Sequence, residues 1–598
     1  MTETSPPAPA DHYALRLQEL EQERSRLSER EELISWIRLA GFVLFVVLAW
    51  LAFVSERISG WWSLLPLTIF VALILLHGTT SRRRQELERR ASHNRSGLAR
   101  IEREWDGSAG GGAGFASADH PYADDLDLFG TASLFSLISV ARTRGGERTL
   151  AQWLLEPAAI EELGRRRSAV RELEPRTELR ESVAMLGGAA GVSMVDLDTF
   201  EAQRSTGPWS SLLRALMLLL AAANLITLAG WLALGWTSIP FAISIAVSAG
   251  VALSIRGRVA ESLHGIEDLS GELDLLVELV ETIEQQRFSS EGLVALQEEL
   301  RGSGSSASSA IRLLARLVAL LDSRRNQLFL PFALLMFWSS QLAISLDRWK
   351  ERFGTSVTGW VETIGRFEAL LSLSSFAWEN PDYVEAEISQ VREPLFEANG
   401  LGHPLIPADQ LVRNDLSLGR TRLLIVSGSN MSGKSTLLRT VGVNTVLALA
   451  GAPVNAERLV LAPVQIGASI QVRDSLLEGK SRFYAEILRL RQIVDLSSGE
   501  LPLLYLLDEV LHGTNSHDRT IGASAILKAL VEKGAIGLAT THDLALARVA
   551  DHLGERAKNI HFQDHIEQDE MIFDYQMREG VVTRSNALAL MRRIGLDV

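Results

Sequence analysis

Two regions of the chain are apolar over lengths that a lipid bilayer requires. Residues 39–55 ("LAGFVLFVVLAWLAFVS") and 58–81 contain no Asp, Glu, Lys or Arg, and neither does the longer stretch 215–255. A bilayer core is about 30 Å thick and needs about 20 apolar residues in each crossing helix. The pattern therefore predicts two transmembrane hairpins, 36–81 and 215–255, of which the second turns near residues 235–240.

Arginines flank the predicted spans on the side of the chain termini. They are Arg38, Arg82, Arg83, Arg84, Arg204, Arg214, Arg256 and Arg258. Because positive side chains stay on the cytoplasmic side of a membrane, we expect a multi-pass protein of the cell (inner) membrane. Four transmembrane helices would then contact the lipid bilayer, with both termini and the C-terminal domain in the cytoplasm. Buried core helices are the alternative, and charge-free runs of this length between arginines do not favour them.

Polar helical segments accompany the apolar regions. In residues 1–35 an apolar side chain recurs every seven positions, at Tyr13, Leu20, Leu27 and Ile34. This spacing is typical of a short coiled coil after a polar tail, and a solvated single helix is the open alternative. Residues 82–125 are predicted to form a helix and a Gly-rich linker, "DGSAGGGAGFASADHP". Residues 126–400 have helical periodicity, so we expect an elongated all-α core into which the second hairpin is inserted.

The pattern changes at residue 401 to short apolar runs that alternate with helices, which is typical of an α/β domain. The strand-like run 422–427 leads into "GSNMSGKS", which fits the phosphate-loop pattern G-x-x-x-x-G-K-[ST]. In such loops backbone N–H groups surround the phosphates of ATP. Lys434 would reach the outer phosphates, and the Ser435 hydroxyl would bind Mg²⁺. The helix that follows presents the positive end of its dipole to the same anion.

Three further residues fit hydrolysis of the bound nucleotide. The apolar run "LLYLL" ends in Asp508 and Glu509. Asp508 would hold Mg²⁺, and Glu509 would orient or deprotonate the attacking water. A second strand-like run, "AIGLATT", ends in His542, which is placed for contact with the γ-phosphate or its water. The stretch "DSLLEGKSRFYAE" (474–486) contains Ser481, a donor for phosphate that has no evident task within its own subunit.

These motifs together resemble the ATPase domain of the MutS mismatch-repair family, a branch of the ABC-type ATPases. The matching words are "GSNMSGKSTLLRTVG", "DSLLEGKSRFYAEI", "LLDEVLHGTNSHDR" and "ATTHD", and weaker likeness extends to 126–200 and 360–400. The resemblance implies a homodimer with composite sites, in which Ser481 acts in trans on the partner's ATP, and it implies DNA as a ligand. The nucleotide-binding residues expected within one subunit are Gly428, Asn430, Met431, Gly433, Lys434, Ser435 and Thr436.

Several positions depart from the family pattern. Ser429 and Ser432 stand where the family has Pro and Gly, and His512 stands where it has Arg. The N-terminal mismatch-recognition domain is expected to be missing, since predicted spans take its place. Dimeric ATP hydrolysis can therefore be carried over from the family residue by residue, whereas mismatch reading cannot.

Composition and span number complete the expectations. Acidic residues exceed basic ones by 73 − 59 = 14, which does not favour broad contact with nucleic acid. A fifth apolar segment, 326–346, is diluted by polar residues, and an odd number of spans would place the phosphate loop outside the cell. We therefore expect a buried or membrane-surface helix there. The function predicted is a membrane-anchored, ATP-dependent DNA clamp; the alternative is an ATP-driven membrane machine that remodels a lipid or protein without nucleic acid.

Overall fold

A computed structural model of the protein describes most of the chain. The described ranges are 8–55, 57, 59–104, 111–117, 119–186, 207, 209–264, 270–302, 306–327, 329–391, 393–429, 431–471, 482–511, 515–567 and 570–582.

Helices dominate the first two thirds of the described chain. In chain order the α-helices are α1 (Pro9–Phe53), α2 (Leu64–Glu102), α3 (Leu134–Ile138), α4 (Arg144–Leu155), α5 (Ile160–Leu173), α6 (Thr177–Met185), α7 (Ser211–Ala233), α8 (Ile239–Leu263), α9 (Ser270–Gln285), α10 (Glu291–Arg301), α11 (Ala307–Asp322), α12 (Leu330–Leu335), α13 (Trp338–Glu379), α14 (Lys434–Ala450), α15 (Arg482–Leu496), α16 (Ser516–Glu532), α17 (Leu544–Ala547) and α18 (Val549–Leu553).

The strands lie in the C-terminal region. They are β1 (Glu387–Ile388), β2 (Phe396–Leu401), β3 (Asn414–Leu418), β4 (Leu423–Ser427), β5 (Arg458–Leu461), β6 (Gln465–Ser469), β7 (Leu503–Leu507), β8 (Ile536–Thr541), β9 (Ala557–Glu567) and β10 (Glu570–Glu579). One mixed sheet has the order β1-β5-β2-β3, and a six-stranded sheet has the order β10-β9-β4-β8-β7-β6. The protein is thus rich in helices and has mixed sheets near its C-terminus, which is consistent with the multidomain organisation that the sequence pattern predicts.

The chain folds into two compact units. The first unit comprises 1–140, 150–177 and 371–598, and the second comprises 141–149 and 178–370. Strands β1 and β2 begin at Glu387 and Phe396, before residue 401.

Three of the four predicted heptad residues, Tyr13, Leu20 and Leu27, are buried, and the fourth, Ile34, is half-buried. Tyr13, Leu20 and Leu27 of α1 are each less than a tenth exposed. Leu20 and Leu27 pack with Leu87 and Ala91 of α2 in one apolar cluster. The seam predicted from the seven-residue spacing therefore has an intramolecular partner. We call the paired polar parts of α1 and α2, residues 9–35 and 82–102, the stalk.

Ion pairs line the exposed sides of the stalk. Arg24 contacts Glu88 at 2.5 Å, and Arg95 of α2 contacts Glu21 of α1 at 3.2 Å. In the second of these pairs both side chains are about half exposed, at 51% and 46%. Exposed pairs of this kind contribute little to stability, so the apolar seam is the main source of stalk stability.

A buried charged cluster holds the open end of the stalk against the end of α13. Arg100 donates two hydrogen bonds to the Glu379 carboxylate, at 3.0 and 2.5 Å. The Tyr13 hydroxyl donates a third at 2.9 Å. The exposed fractions of the Arg100 and Glu379 side chains are 11% and 1%. We call Tyr13, Arg100 and Glu379 the anchor cluster.

Arg103 extends this connection to the sheet region. Its guanidinium donates to the carbonyl oxygen of Pro404 at 2.8 Å, to the side-chain oxygen of Asn380 at 2.8 Å and to the Tyr383 hydroxyl at 3.1 Å. The backbone of Arg103 has a φ of 60°, in the left-handed region. The chain leaves α2 at this residue and is fixed to two other segments of the same unit.

Helices α1, α2, α7 and α8 are long and apolar enough to cross a membrane, by length and composition. Between 6% and 17% of the residues in their most apolar windows are buried within the protein. Large apolar side chains on them, such as Trp36, Leu65 and Leu232, are mostly exposed. Exposed apolar surfaces of this size are typical of sites that contact a membrane or another protein.

Polar contacts of Asn224 join α7 to α8 and to α12. Asn224 of α7 is fully buried. Its amide donates to the Ser248 hydroxyl of α8 at 3.1 Å and to the carbonyl oxygen of Leu335 at 3.0 Å. Ser244 donates to the Asn224 side-chain oxygen at 2.6 Å. An amide whose hydrogen bonds are made in this way is typical of polar residues that join helices in an apolar surrounding.

Residues 326–346 do not form the single helix that we expected there. The short helix α12 ends at Leu335, and α13 starts at Trp338. Phe337 between them has a φ of 52° and is 5% exposed. A non-glycine residue in the left-handed region ends the helical path, and no Gly or Pro near Phe337 marks that break in the sequence.

Candidate functional site

Parallel strands bring the predicted site residues to one edge of the six-stranded sheet. Strands β4, β8 and β7 are neighbours and run parallel. Their side chains are all buried. The phosphate-loop pattern follows β4, Asp508 follows β7, and His542 follows β8. Because the carboxyl ends of parallel strands lie together, ligands of α/β sheets bind at this edge.

The loop after β4 has the backbone that its glycines predict. Gly433 has a φ of 102° and begins α14 as its N-cap. A Cβ atom on Gly433 would lie 3.1 Å from the ring of Tyr575, so glycine suits both the conformation and the space. Met431 has a φ of 72° and is 83% exposed. The loop therefore has left-handed backbone at Met431 and Gly433, directly before the N-terminus of a 17-residue helix.

Lys434 is the buried cation of this loop. It is 5% exposed, and its Nζ donates to the carbonyl oxygens of Gly428 at 3.0 Å and Ser429 at 2.8 Å. Burial lowers the pKa of Lys434, and the nearby carboxylates of Glu509 and Asp508 act in the opposite direction. An ammonium group at this position of a phosphate-loop pattern is suited to phosphate oxygens.

Asp508 lies at the centre of a hydrogen-bonded group. Ser435 donates to its Oδ2 at 2.5 Å, and Thr540 of β8 donates to its Oδ1. The backbone N–H of Asp508 donates to the carbonyl oxygen of Ser469 at 2.9 Å. The carboxylate thus joins the first turn of α14 to strand β8, and the backbone N–H of the same residue joins it to β6.

The donor set fits Mg²⁺. Magnesium binds hard oxygen ligands and commonly takes one or two from the protein, with phosphate and water completing the shell. The Ser435 hydroxyl and Asp508 carboxylate already meet at 2.5 Å, beside the loop that fits phosphate. Among the described residues no group of three or more His, Cys, Asp or Glu side chains forms a metal cluster of its own.

Glu509 and His542 face each other at the same edge. His542 Nδ1 lies 3.6 Å from Glu509 Oε1, with exposed side-chain fractions of 44% and 27%. The backbone N–H of Glu509 donates to Thr540 Oγ1 at 3.0 Å, and Arg519 lies 3.4 Å from His542 Nε2. A carboxylate and an imidazole that are partly open to solvent can both reach a water molecule at the loop.

A cavity of about 1060 Å³ is lined by polar residues of the site and by apolar side chains. Its polar part includes Lys434, Ser435, Thr436, Asp508 and Glu509. Its second wall contains His403 and Asn414 together with apolar and aromatic side chains. The apolar and aromatic residues are Leu401, Leu405, Ile406, Pro407, Leu411, Val412, Phe562 and Tyr575.

Two residues of the second wall have distinctive environments. His403 is 7% exposed, and burial lowers its pKa to about 4, with Arg439 adding to the effect. The imidazole is therefore neutral near pH 7. Tyr575 lies in β10 with a φ of 53° and is 43% exposed, with its ring beside Gly433. A half-exposed aromatic ring next to a phosphate loop is suited to stacking on a planar base.

The structure brings most of the predicted site residues together. Gly428, Met431, Gly433, Lys434, Ser435, Thr436, Asp508, Glu509 and His542 lie at the carboxyl edge of the sheet or at the start of α14. Asn430 and Ser481 lie outside the described residues, as does His512. Their roles, and those of the other residues of the site, stay predictions.

Four contributors were missed by the sequence reasoning. Thr540 lies within the quoted "ATTHD" and Glu486 within "DSLLEGKSRFYAE", but neither was singled out. Tyr575 and Asn414 come from a β-hairpin and a strand beside the loop, where nothing in the local pattern predicts a site. An acidic residue with apolar neighbours, as in "FYAEI", is the signal that could have identified Glu486.

Comparisons with known proteins place this region in one family. The sequence profile described as MutS domain V matches residues 424–597. Endonuclease MutS2 of Thermus thermophilus is 36% identical over 203 residues, which cover 32% of this chain and 25% of that protein. DNA mismatch repair protein MSH3 of Phaeosphaeria nodorum is 31% identical over 246 residues, covering 40% and 22%. DNA mismatch repair protein MutS of a Geobacillus species is 32% identical over 232 residues, covering 38% and 26%.

The chain spans about a quarter of the length of these relatives. The likeness is therefore to one part of each, and the matched residues 424–597 contain the phosphate loop, the acidic pair and His542. Residues 424–597 of the chain thus match MutS domain V, and this part of the chain is similar to one part of the MutS, MutS2 and MSH3 proteins.

Proposed function

We propose that this protein is a membrane-anchored ATPase of the MutS family that acts as a dimeric, ATP-dependent clamp on DNA. The observation that carries the proposal is the shared carboxylate of Asp508, bonded to Ser435 at 2.5 Å at the foot of the phosphate loop. A hydroxyl and a carboxylate in this arrangement serve Mg²⁺ and nucleotide in phosphate-loop enzymes. The family match supports the same conclusion.

Each residue of the site has a task in ATP hydrolysis. Lys434 and the N–H groups of the loop would bind the phosphate oxygens, and Ser435 and Asp508 would hold Mg²⁺. When bound, the metal neutralises charge on the phosphates. Glu509 would orient the attacking water and accept its proton, and His542 would contact that water or the γ-phosphate.

The base and the second subunit complete the proposed site. Tyr575 is placed to stack on adenine, against the apolar wall at Leu411 and Val412. Ser481 would donate to the γ-phosphate bound by the partner subunit, so that a homodimer would contain two composite ATP sites. Binding and hydrolysis would then close and open the dimer around its partner.

Enzyme assays test the ATPase. The full chain in detergent should hydrolyse ATP with Mg²⁺, and Glu509→Gln should lower kcat by about 100-fold or more, because the water loses its base. Glu500→Gln, an exposed glutamate in the same domain, is the matched control and should leave the rate unchanged. An unchanged rate in Glu509→Gln would refute the assignment of the site.

DNA binding needs its own experiment. Affinity for duplex, mismatched and branched DNA should be measured against salt, with and without ATP. Non-specific phosphate contacts lose affinity steeply as salt rises, so a dependence on DNA structure or ATP at moderate salt supports a clamp. Equal weak binding to all forms, without an ATP effect, refutes it.

A second function is favoured by the four long apolar helices and the net charge of −14. In this function the ATPase would remodel a lipid or a protein partner, with no nucleic acid involved. ATPase activity that rises in lipid vesicles or with a membrane protein extract, and does not respond to DNA, would favour it over the clamp.

A further inference from the structure

The turn that carries Glu509 is held in an unfavourable backbone conformation. Glu509 has a φ of 46° and Leu511 a φ of 58°. The left-handed region places the Cβ atom of an ordinary residue too close to the backbone. Such residues persist only where their surroundings hold them, and they are concentrated at functional sites. The contacts that fix residues 508–511 therefore decide where the Glu509 carboxylate points.

Two of these contacts lie on the strand side of the turn. The N–H of Asp508 donates to the carbonyl oxygen of Ser469 at 2.9 Å. The N–H of Glu509 donates to Thr540 Oγ1 at 3.0 Å. Both hold the beginning of the turn to neighbouring strands of the sheet.

The far side of the turn is held by a glutamate from a different element. The N–H of Leu511 donates to Oε1 of Glu486, which lies in α15 and is 6% exposed. Glu486 also lines the cavity that contains Lys434 and Glu509. Hydrogen bonds from N–H groups to carboxylates are stronger than those to neutral acceptors. A buried carboxylate thus stabilises the strained backbone at the Leu511 end of the turn.

Packing of the Leu511 side chain fixes the position of the N–H that donates to Glu486. Its side chain is 7% exposed and belongs to the apolar core that also contains Val510 and Leu527. A Cβ atom on Gly522 of α16 would lie 2.7 Å from the Leu511 side chain. The side chain of Leu511 is therefore enclosed. The backbone N–H of Leu511 faces α15, where it donates to Glu486.

We infer that Glu486 is a positioning residue for ATP hydrolysis, which aims the Glu509 carboxylate by accepting the backbone N–H of Leu511. This inference rests on the proposed ATPase function. Glu486 touches neither nucleotide nor water in this role; it fixes the turn from outside. Displacement of a catalytic group by about 1 Å can cost about 100-fold in rate.

The test compares Glu486→Ala and Glu486→Gln with the wild type, each as the full chain in detergent. Alanine removes the acceptor, whereas glutamine keeps a carbonyl oxygen in its place. The expected results are a fall in kcat of about 100-fold for alanine and recovery to within about tenfold of wild type for glutamine, since a neutral acceptor is weaker than a charged one. The Kd of a fluorescent ATP analogue should change less than about threefold, because the phosphate loop is untouched. Glu500→Ala is the matched control.

Hydrogen exchange of the Leu511 amide gives a readout that does not need activity. It should be at least about tenfold faster in Glu486→Ala, because the amide loses its acceptor. Unchanged exchange would overturn the inference, whether or not the protein hydrolyses ATP. A normal kcat in Glu486→Ala, or a loss of kcat matched by an equal loss of ATP affinity, would also overturn it. If the wild type itself shows no hydrolysis, the proposed function fails, and the exchange result still decides the position of Glu486.

Discussion

Removal of Glu379 from the anchor cluster should release the stalk from the end of α13. Glu379→Gln leaves the Arg100 guanidinium nearly buried without its carboxylate, and the Tyr13 hydroxyl loses a charged acceptor. Breaking a buried ion pair from one side costs about 3–5 kcal/mol, because the remaining charge stays desolvated. The apolar seam between α1 and α2 is untouched by this change. We therefore expect local detachment and not unfolding of the stalk.

The magnitude can be measured by hydrogen exchange on the full chain in detergent. A cost of 3 kcal/mol corresponds to about a 150-fold increase in the population of an open state, at about 1.4 kcal/mol per factor of ten. Amides near residues 379–383 and at the end of α2 should exchange faster by about that factor. Amides of the seam at Leu20 and Leu87 should not change.

The exposed stalk pair provides a matched control. Glu21→Gln removes the partner of Arg95, which lies on the same two helices at 3.2 Å but is about half exposed. Its cost should be at most about 1 kcal/mol. Arg100→Met together with Glu379→Gln should recover part of the loss, since no charge is then left buried. Equal small effects for the buried and exposed pairs, or strict additivity of the double variant, would refute the reasoning.

Three further outcomes can be checked directly. Asp508→Asn should weaken Mg²⁺-dependent ATP binding at least about tenfold, measured with a fluorescent analogue, and leave binding without Mg²⁺ nearly unchanged, because the metal loses a charged ligand. His403 has a folded pKa of about 4, below the ordinary value of 6.5, so its contribution to stability is complete above pH 6.5 and is lost as pH falls toward 4. His403→Asn should remove up to about 3 kcal/mol of that pH dependence in thermal unfolding, and a pH profile identical to wild type would contradict the burial argument. Asn224→Leu should lower the stability of the second hairpin by about 1 kcal/mol in detergent, the usual worth of such bonds between membrane helices, and any increase in stability would count against a structural role for the amide.

The local sequence pattern was sufficient to predict the helices and strands of the site, but it was insufficient to predict the contacts between them. The phosphate loop could be found because a buried strand, glycines and a helix start are consecutive in sequence, and the acidic pair follows its own strand. Glu486 could not be found in the same way, because its partner Leu511 is 25 residues away and the bond depends on how α15 packs. Tyr575 comes from a strand paired only with β9, and its position beside Gly433 depends on the irregular register within β10.

The stalk is a second case in which the sequence pattern predicts an element but not its contacts. The seven-residue spacing predicted that Tyr13, Leu20 and Leu27 face a partner, but the partner is chosen by the chain reversal between α1 and α2. The break at Phe337 depends on packing within its unit, because Phe337 is buried with Met217 and Ile344 and no turn residue marks the position. Sequence periodicity reports which face is apolar, and tertiary structure decides what covers it.

The length of the stalk has a consequence for how two copies would meet. From Pro9 to the predicted membrane boundary at residue 36 there are 36 − 9 = 27 residues of continuous helix. At 1.5 Å per residue this is about 40 Å. A paired helix of that length is a stiff spacer, so each copy anchored in a bilayer would carry its nucleotide site at the same height above the lipid. Two copies would then meet by diffusion within the plane of the membrane. Tethering of this kind raises the effective concentration of weakly associating partners.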